Sequence, residues 1–303
     1  MPLRMEKVVV VGIGLIGGSF ALALRAGGAV RHLVGIGRSD KTLRQAIELR
    51  IVDEASSSFE AVSGADLVLL AVPVGQSRAV LEAMAPHLSP HTVVTDAGST
   101  KSDVVRAARA ALPAGALSRF VPGHPVAGTE HSGPAAAFAD LYRDRKVVLT
   151  PMAETDASAL AKVRAAWQTC GAQVFEIPPD VHDRIFATVS HLPHLLAFAL
   201  VGQVADDADA ERLFSYAAGG FRDFTRIASS HPEMWRDICI ANREALLAEL
   251  GRFQQELAVL HTALQGSDGN GLEAAFARAR NARNRWIEES RPQAADNARD
   301  LSC

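Results

Sequence analysis

The sequence predicts an α/β, Rossmann-type N-terminal domain followed by an all-helical C-terminal domain, on three observations. Short β-branched runs alternate with helical patterns through the first half, which is typical of a parallel sheet with helices on both faces. The pair Pro178-Pro179 interrupts this alternation, since proline suits the interior of neither element. After it, apolar residues recur only at helical spacing. We therefore place the domains at residues 1–178 and 179–290, with a disordered tail at residues 291–303.

The elements of the first domain follow in order from these patterns. An apolar strand is predicted at residues 8–11, and a helix at residues 15–26 that Gly27-Gly28 closes. A strand at residues 33–36 precedes a helix through Leu43, Ile47 and Leu49. Further strands are predicted at residues 66–72, 92–95, 120–121, 146–149 and 173–177. In the second half, helices are predicted at residues 183–204, 211–218, 232–265 and 272–289.

Composition excludes several classes of partner. The 303 residues suffice for two domains, and they carry a formal net charge of −3 with a pI near 6.4. We therefore expect no broad basic surface for nucleic acid or an anionic membrane. Three scattered cysteines argue against a disulfide framework and favour a cytoplasmic protein. No apolar run is expected to reach transmembrane length.

Residues 12–17 read GIGLIG, a G-x-G-x-x-G between the first strand and the first helix. In such a turn the first glycine allows the sharp bend, the second lets the backbone approach a pyrophosphate, and the third lets helix and strand pack closely. Free N–H groups and the helix dipole then favour the phosphates. We therefore expect a dinucleotide bound by Gly12, Gly14, Leu15, Ile16 and Gly17.

The end of the second strand indicates which dinucleotide is preferred. An NAD site normally has an acidic residue here, which accepts hydrogen bonds from the adenine ribose. This chain has Arg38 with Ser39 beside it, and a guanidinium suits the 2′-phosphate of NADP. We therefore expect NADP to be favoured over NAD. The alternative is that Arg38 is a surface residue and that Asp40 reaches the ribose.

Five further stretches carry the chemistry, and the last four of them resemble motifs of one enzyme family. Val72-Pro73 ends a strand at the edge where a cofactor would pass. Residues 96–101 read DAGSTK, residues 123–130 read GHPVAGTE in a predicted loop, residues 190–194 read SHLPH, and residues 219–228 read GGFRDFTRIA between two predicted helices. With GLIGGS at residues 14–19, these motifs resemble the prephenate/arogenate (cyclohexadienyl) dehydrogenases, from about Lys7 to about Glu289. The resemblance implies oxidative decarboxylation of prephenate to 4-hydroxyphenylpyruvate, or of arogenate to tyrosine, with hydride transfer to NAD(P). The choice between the two substrates stays open.

The resemblance assigns catalytic roles to two residues. His124 would bind the ring 4-hydroxyl of the substrate and take its proton as the hydride leaves, which a neutral imidazole can do at cytoplasmic pH. Ser99 would orient His124 and touch the nicotinamide. Loss of the ring carboxylate as CO₂ makes the ring aromatic and drives the reaction, so the protein's task is placement and charge recognition.

The resemblance also implies residues that bind the substrate. Arg226 would bind the ring carboxylate, unless it is an ordinary exposed arginine, and His194 would contact the substrate with Thr129 near it. Gly219 belongs to the same set. We expect His191, the other histidine of the SHLPH motif, to pack or to cap its helix. The two histidines are spaced as a zinc pair could be, but no third ligand recurs nearby, so no metal is expected.

Asp223 and Trp235 would close the pocket, partly from the partner subunit, unless Trp235 is an ordinary packing residue. Glu130 would pair with Asp223 or with a basic neighbour as a gate. We expect Trp167 and Trp286 in the core or in an interface. The helical half carries an apolar stripe that one small Rossmann domain cannot cover: Leu246, Leu247, Leu250, Phe253, Leu257 and Leu260. We therefore expect this half to be a dimerisation domain and the protein a homodimer.

Two other functions are compatible with the predicted fold. Dehydrogenases of the 6-phosphogluconate or β-hydroxyacid type share it, but they use a lysine in the helical half, and residues 180–303 contain no lysine. A non-catalytic dinucleotide sensor could dispense with His124, Ser99 and Arg226, and all three are present. The residues therefore favour the dehydrogenase.

Overall fold

The computed structural model describes residues 3–129 and 131–289, and its centre is a six-stranded parallel sheet. Its strands are β1 (Met5–Val11), β2 (Val30–Ile36), β3 (Glu54–Ser56), β4 (Leu67–Leu70), β5 (Val93–Asp96) and β6 (Phe120–Val121). They lie in the order β3-β2-β1-β4-β5-β6. From β1 the chain adds β2 and β3 on one side of the sheet and then β4, β5 and β6 on the other side. Dinucleotides bind at this switch point, between β1 and β4, in sheets of this order.

Helices cover both faces of this sheet. They are α1 (Leu15–Ala26), α2 (Asp40–Glu48), α3 (Ser77–Met84), α4 (Ser102–Ala111), α5 (Ala114–Leu117) and α6 (Ala157–Thr169). The residues of β1 alternate between two cores, with Val8 and Val10 in one and Val9 in the other. Because both faces are buried over residues 8–11, this part of the strand is apolar throughout, whereas Glu6 and Lys7 nearer its start are polar. Trp167 of α6 is fully buried in the first core, as expected.

A second, three-stranded sheet follows, in the order β7 (Gly123–Pro125), β8 (Lys146–Leu149), β9 (Gln173–Glu176). The prediction of a loop at residues 123–130 was therefore wrong for its first three residues. His124 pairs with Val148 in an antiparallel ladder, and Pro125 is tolerated because β7 is an edge strand. This pairing, which joins distant parts of the chain, holds His124 on a strand.

The described residues after Glu176 form helices and no strand. These helices are α7 (Pro179–Phe186), α8 (Leu192–Ala205), α9 (Ala210–Ser215), α10 (Gly219–Thr225), α11 (Pro232–Ala241), α12 (Arg243–Gln265) and α13 (Gly269–Glu289). A π-helical turn, Ala187–His191, joins α7 to α8.

Two predictions in this half were wrong. The single helix at residues 232–265 is broken at Asn242, whose side chain bonds to neighbouring elements. The predicted linker at residues 219–226 is instead α10 followed by a 3-10 turn, Arg226–Ser229.

By packing, the chain divides between Leu247 and Ala248 into two compact units. The boundary predicted at residues 178/179 coincides with the change from strand to helix, since β9 ends at Glu176 and α7 begins at Pro179. The predicted tail at residues 291–303 lies outside the described residues.

One apolar run is longer than expected. The helical run Pro179–Ala205 is long and apolar enough, by length and composition, to cross a bilayer, which corrects the expectation that no run reaches this length. A core helix of a soluble protein passes the same test. The run contains the buried polar residues His182, Asp183 and His191.

Candidate active site

The glycine turn between β1 and α1 is shaped for a ligand. A side chain on Gly12, which has φ +97°, would overlap the carbonyl oxygen of Ala71, and one on Gly17 would overlap the carbonyl oxygen of Gly12. These two glycines are therefore required by the fold itself. A Cβ on Gly14 would meet no atom within 4 Å, and no side chain caps α1 at this residue. The N-terminus of α1 is thus open to a bound anion, which fits a pyrophosphate.

The residues at the end of β2 face solvent. Arg38 is exposed, and the Ser39 hydroxyl accepts a hydrogen bond from the N–H of Thr42 (3.4 Å), which caps α2. Asp40 lies in the first turn of α2, where the helix dipole favours a carboxylate. The capping role of Ser39 was not predicted.

A buried ion pair joins the loop that contains Ser99 to the strand that contains His124. Lys101 is fully buried, and its Nζ donates to Asp96 Oδ2 (2.5 Å) and to the carbonyl oxygen of Gly123 (2.6 Å). Asp96 also accepts from the N–H groups of Gly98 and Gly123. This pair therefore fixes the backbone on both sides of the site.

His124 is buried, and it contacts a residue that the sequence analysis missed. Its Nδ1 lies 2.8 Å from Nε2 of His182, and its ring packs on Phe186. His182 Nδ1 lies 2.9 Å from Asp183 Oδ1, and the carboxylate of Asp183 accepts from the N–H groups of Lys101 and Ser102, both at 2.8 Å. In the described part of the chain, no hydrogen bond joins Ser99 to His124.

The position of His182 and Asp183 explains why they were missed. They are adjacent in α7 and belong to none of the five motifs. The one available signal was a histidine–aspartate pair near the start of a long helical run, and it carries no spacing that predicts a partner.

Burial sets the protonation states of this group. Burial lowers the pKa of His124 well below its ordinary value, and the neighbouring His182, Lys101 and His191 lower it further. Burial likewise lowers the pKa of His182. Burial alone would raise the pKa of Asp183, but hydrogen bonds from His182, Ser102 and Lys101 outweigh it and hold the pKa at about 2. Near neutral pH the group is therefore two neutral imidazoles and one carboxylate.

Asn242 joins this group to the SHLPH motif. Its Nδ2 donates to the carbonyl oxygen of Asp183 (2.8 Å) and to Nδ1 of His191 (3.0 Å). His191 is buried, and burial lowers its pKa to about 4. His191 also meets the ring of Trp235 edge-on, with centroids 6.0 Å apart.

His194 and Trp235 form a stacked pair, with ring centroids 3.6 Å apart. His194 Nδ1 donates to the carbonyl oxygen of Ser190 (2.9 Å). Burial lowers the pKa of His194, and the nearby charge of Arg226 lowers it further, which places that guanidinium within electrostatic reach of the ring. Trp235 itself is buried against Val74, so α11 packs against the turn that follows Val72-Pro73.

The other predicted substrate residues are exposed: Arg226, Thr129, Gly219 and Asp223. Thr129 Oγ1 accepts from the N–H of His131 (3.2 Å). Glu130, the predicted gate, lies outside the described residues. Among the described residues, no group of three or more His, Cys, Asp or Glu side chains is placed to hold a metal ion.

Comparison with known proteins identifies the family. Residues 20–176 match the family described as prephenate dehydrogenase, nucleotide-binding domain, and residues 178–278 match prephenate dehydrogenase, dimerization domain. The cyclohexadienyl dehydrogenase of Zymomonas mobilis is 38% identical over 281 residues, which cover 92% of this chain and 95% of that protein.

Solved structures agree. Prephenate dehydrogenase from A. aeolicus, in complex with hydroxyphenyl propionate and NAD+, is 36% identical with a TM-score of 0.86 over 95% of this chain and 100% of that chain. Synechocystis arogenate dehydrogenase is 32% identical, with a TM-score of 0.79 over 93% of this chain and 100% of that chain. The chain described here belongs to the prephenate dehydrogenase family.

Proposed function

We propose that this protein oxidatively decarboxylates prephenate, arogenate or both on the route to tyrosine, with hydride transfer to a nicotinamide dinucleotide. The observation that carries the proposal is His124, a buried and neutral imidazole held on β7. Membership of the prephenate dehydrogenase family supports it, as do the substrates named for the relatives.

The open glycine turn supports a dinucleotide at the carboxyl end of β1. Backbone N–H groups at the start of α1 would hold the pyrophosphate, beside Gly14, and Val72-Pro73 would flank the cofactor. Ser99 would reach the nicotinamide from the loop after β5. When it is bound, the cofactor accepts a hydride from the ring carbon that bears the hydroxyl.

His124 removes one proton from the substrate and later returns it to the product. It takes the proton of the 4-hydroxyl as the hydride leaves, so a carbonyl forms at that ring carbon. The ring carboxylate then departs as CO₂, and the electrons of the broken C–C bond make the ring aromatic. His124 returns its proton to the phenolic oxygen. The net reaction releases no proton, so a base without access to solvent suffices, which agrees with the burial of His124.

Arg226 supplies the charge that fixes the substrate. Its exposed guanidinium acts electrostatically on His194, which stacks on Trp235, so we propose that a ring carboxylate bound by Arg226 would lie beside aromatic surface. Thr129 and Gly219 would complete the binding site, and Asp223 and Trp235 would close it.

We also propose that NADP is favoured over NAD, because Arg38 is exposed at the end of β2 while Asp40 belongs to α2. The free thiols of Cys170 and Cys239 fit the reducing cytoplasm.

Initial rates of the purified protein test this function. Prephenate and arogenate are each supplied with NADP and with NAD, and reduced coenzyme is followed together with the aromatic product. We expect 4-hydroxyphenylpyruvate from prephenate or tyrosine from arogenate, one for each coenzyme reduced. Dinucleotide binding without turnover of either substrate would favour the sensor. Turnover of a β-hydroxyacid instead would favour the other dehydrogenase class.

A further inference from the structure

We propose that His182 and Asp183 are positioning residues, which act through His124 by fixing the tautomers of both imidazole rings. The three side chains form one hydrogen-bonded chain, from His124 Nδ1 to His182 Nε2 (2.8 Å) and from His182 Nδ1 to Asp183 Oδ1 (2.9 Å). The inference rests on the proposed function of His124 as the base. It adds which nitrogen of that ring is free to react.

Asp183 decides which atom is the donor in both of these hydrogen bonds. Both of its carboxylate oxygens accept backbone N–H groups, from Lys101 and from Ser102, so the carboxylate is fixed in place and acts only as an acceptor. The nitrogen that faces it, His182 Nδ1, must therefore carry a hydrogen. A neutral imidazole has one N–H, so His182 Nε2 is an acceptor.

The same reasoning extends to His124. Because His182 Nε2 is an acceptor, the facing nitrogen, His124 Nδ1, carries the hydrogen. The lone pair of His124 is therefore on Nε2, at the other side of the ring. The hydrogen bond that one ring nitrogen makes decides which of the two histidine nitrogens is free to react. Without the chain, both tautomers of a buried ring compete, and one of them cannot take a proton on Nε2.

The chain also stabilises the charge that His124 gains. An imidazolium is costly in a buried site, and the ammonium of Lys101 nearby adds repulsion. When Nε2 takes the substrate proton, the charged ring donates Nδ1–H to His182, whose own N–H points at the ionised Asp183. The carboxylate thus opposes the new charge through one intervening ring, and no proton needs to move to Asp183. The carbonyl oxygen of Asp183 is itself held by Asn242, which keeps this part of α7 in place.

Substitution at His182 separates positioning from mere packing. His182→Leu fills the space but removes the acceptor, whereas His182→Gln can place its amide oxygen near the position of Nε2. We expect His182→Leu to lower kcat by about tenfold to a hundredfold, with KM values within about threefold of wild type. His182→Gln should recover most of that loss, and the exposed His91→Gln should change nothing. Equal damage in the Gln and Leu variants, or full kcat in the Leu variant, would overturn the proposal.

The tautomer itself is measurable without turnover. In wild-type protein labelled with ¹⁵N-histidine, with His124 assigned through the signal that His124→Asn removes, we expect a protonated Nδ1 and an unprotonated Nε2. A proton on Nε2 would contradict the proposal even if every variant behaved as expected. This measurement can be made even if the protein turns over neither prephenate nor arogenate. Failure of the proposed function is therefore distinguishable from failure of the proposed hydrogen-bonded arrangement of His124, His182 and Asp183.

Discussion

At the scale of single residues, the proposed reaction requires His124 to accept a proton in a place where charge is disfavoured. The sequence suggests only an ordinary histidine, whose pKa is near 6.5. Burial in β7 lowers that pKa, so the ring is neutral and ready to accept a proton near neutral pH. The role proposed for Arg226 has the opposite requirement, because its charge would bind the substrate carboxylate, and Arg226 is exposed. The burial of each residue thus suits the charge that its proposed role needs.

Removal of Arg226 should weaken substrate binding more than catalysis. Arg226→Ala leaves the ring carboxylate without its charged partner, which costs roughly 2–5 kcal/mol in a desolvated site. We expect a strong rise in the KM for the substrate and a smaller fall in kcat. Arg222→Ala is the matched control, since Arg222 is also exposed on α10. An unchanged KM in Arg226→Ala, with a raised KM in the control, would assign the carboxylate to Arg222.

Coenzyme preference should depend on Arg38. If its guanidinium pairs with the 2′-phosphate, it contributes about 1.5–3 kcal/mol, or one to two decades of preference. We expect a higher kcat/KM with NADP than with NAD, abolished or reversed in Arg38→Asp. Arg44→Asp makes the same charge change on α2 and should leave the preference intact. A clear preference of the wild type for NAD would show that Arg38 is only a surface residue.

At the scale of elements, the strand–turn–helix unit of β1 and α1 separates two uses of glycine. Gly17 is packed against protein, whereas Gly14 faces open space. Sequence spacing identifies both as part of one motif, and only the packing shows that they are constrained by different partners. The fold needs one glycine, and the proposed cofactor needs the other.

Alanine at these two positions should therefore have different effects. Gly17→Ala forces a methyl group against the carbonyl oxygen of Gly12, and we expect it to lower the free energy of unfolding by about 1–3 kcal/mol. Gly14→Ala should leave the unfolding free energy within about 0.5 kcal/mol of wild type but raise the KM for the coenzyme. Denaturant titrations and steady-state rates give both quantities. If the KM for the coenzyme is the same in Gly14→Ala and in wild type, the pyrophosphate does not bind at this turn.

Local patterns predict the elements that have a continuous apolar run or a helical spacing of apolar residues. The helix α1 was predicted with the bounds that the structure has. β1 begins at Met5, and only its part from Val8 to Val11 was predicted, because burial on both faces leaves a continuous apolar run there. β7 was missed because its three residues, Gly123–Pro125, include a glycine and a proline and show no apolar run, although they pair with β8. The break at Asn242 depends on contacts with Asp183 and His191, and these contacts have no local pattern. The contacts of His124 with its partners likewise have no local pattern, so these partners were not predicted.

The candidate site was predictable to a similar extent. Motif residues such as His124, Arg226 and His194 were named from their neighbours in sequence. The side chain that contacts His124 comes from α7, which packs beside it only in the folded protein. Backbone donors such as the N–H of Lys101 have no signature in sequence at all.

At the scale of the whole molecule, the second compact unit has apolar surface that a single chain leaves in water. Leu257, Val259, Leu264, Phe276 and Trp286 of α12 and α13 are exposed, at 48–65% of their surface. Trp286 is therefore not a core residue of one subunit, which leaves the predicted interface role. Exposed apolar residues at this density mark an interaction surface.

We therefore expect a homodimer formed through the helical half, as the match to a family described as a dimerization domain supports. Light scattering at micromolar concentration should give twice the mass of the 32.2 kDa chain. Leu264→Glu should shift the protein towards monomer, because it buries a charge in the interface. Leu49→Glu, which changes a leucine exposed at 47% beyond α2, should not. A wild-type monomer mass would refute the dimer.

The central proposal is that His124 is the base of a dehydrogenase reaction, and the steady-state kcat of His124→Asn tests it most directly. Asparagine keeps a polar side chain of similar reach to Nδ1 but has no group that can take the substrate proton. We predict a kcat at least about a hundredfold below wild type, with coenzyme binding near normal by fluorescence titration. His91→Asn, an exposed histidine changed in the same way, should retain wild-type kcat. A His124→Asn variant that keeps most of its kcat would contradict the account.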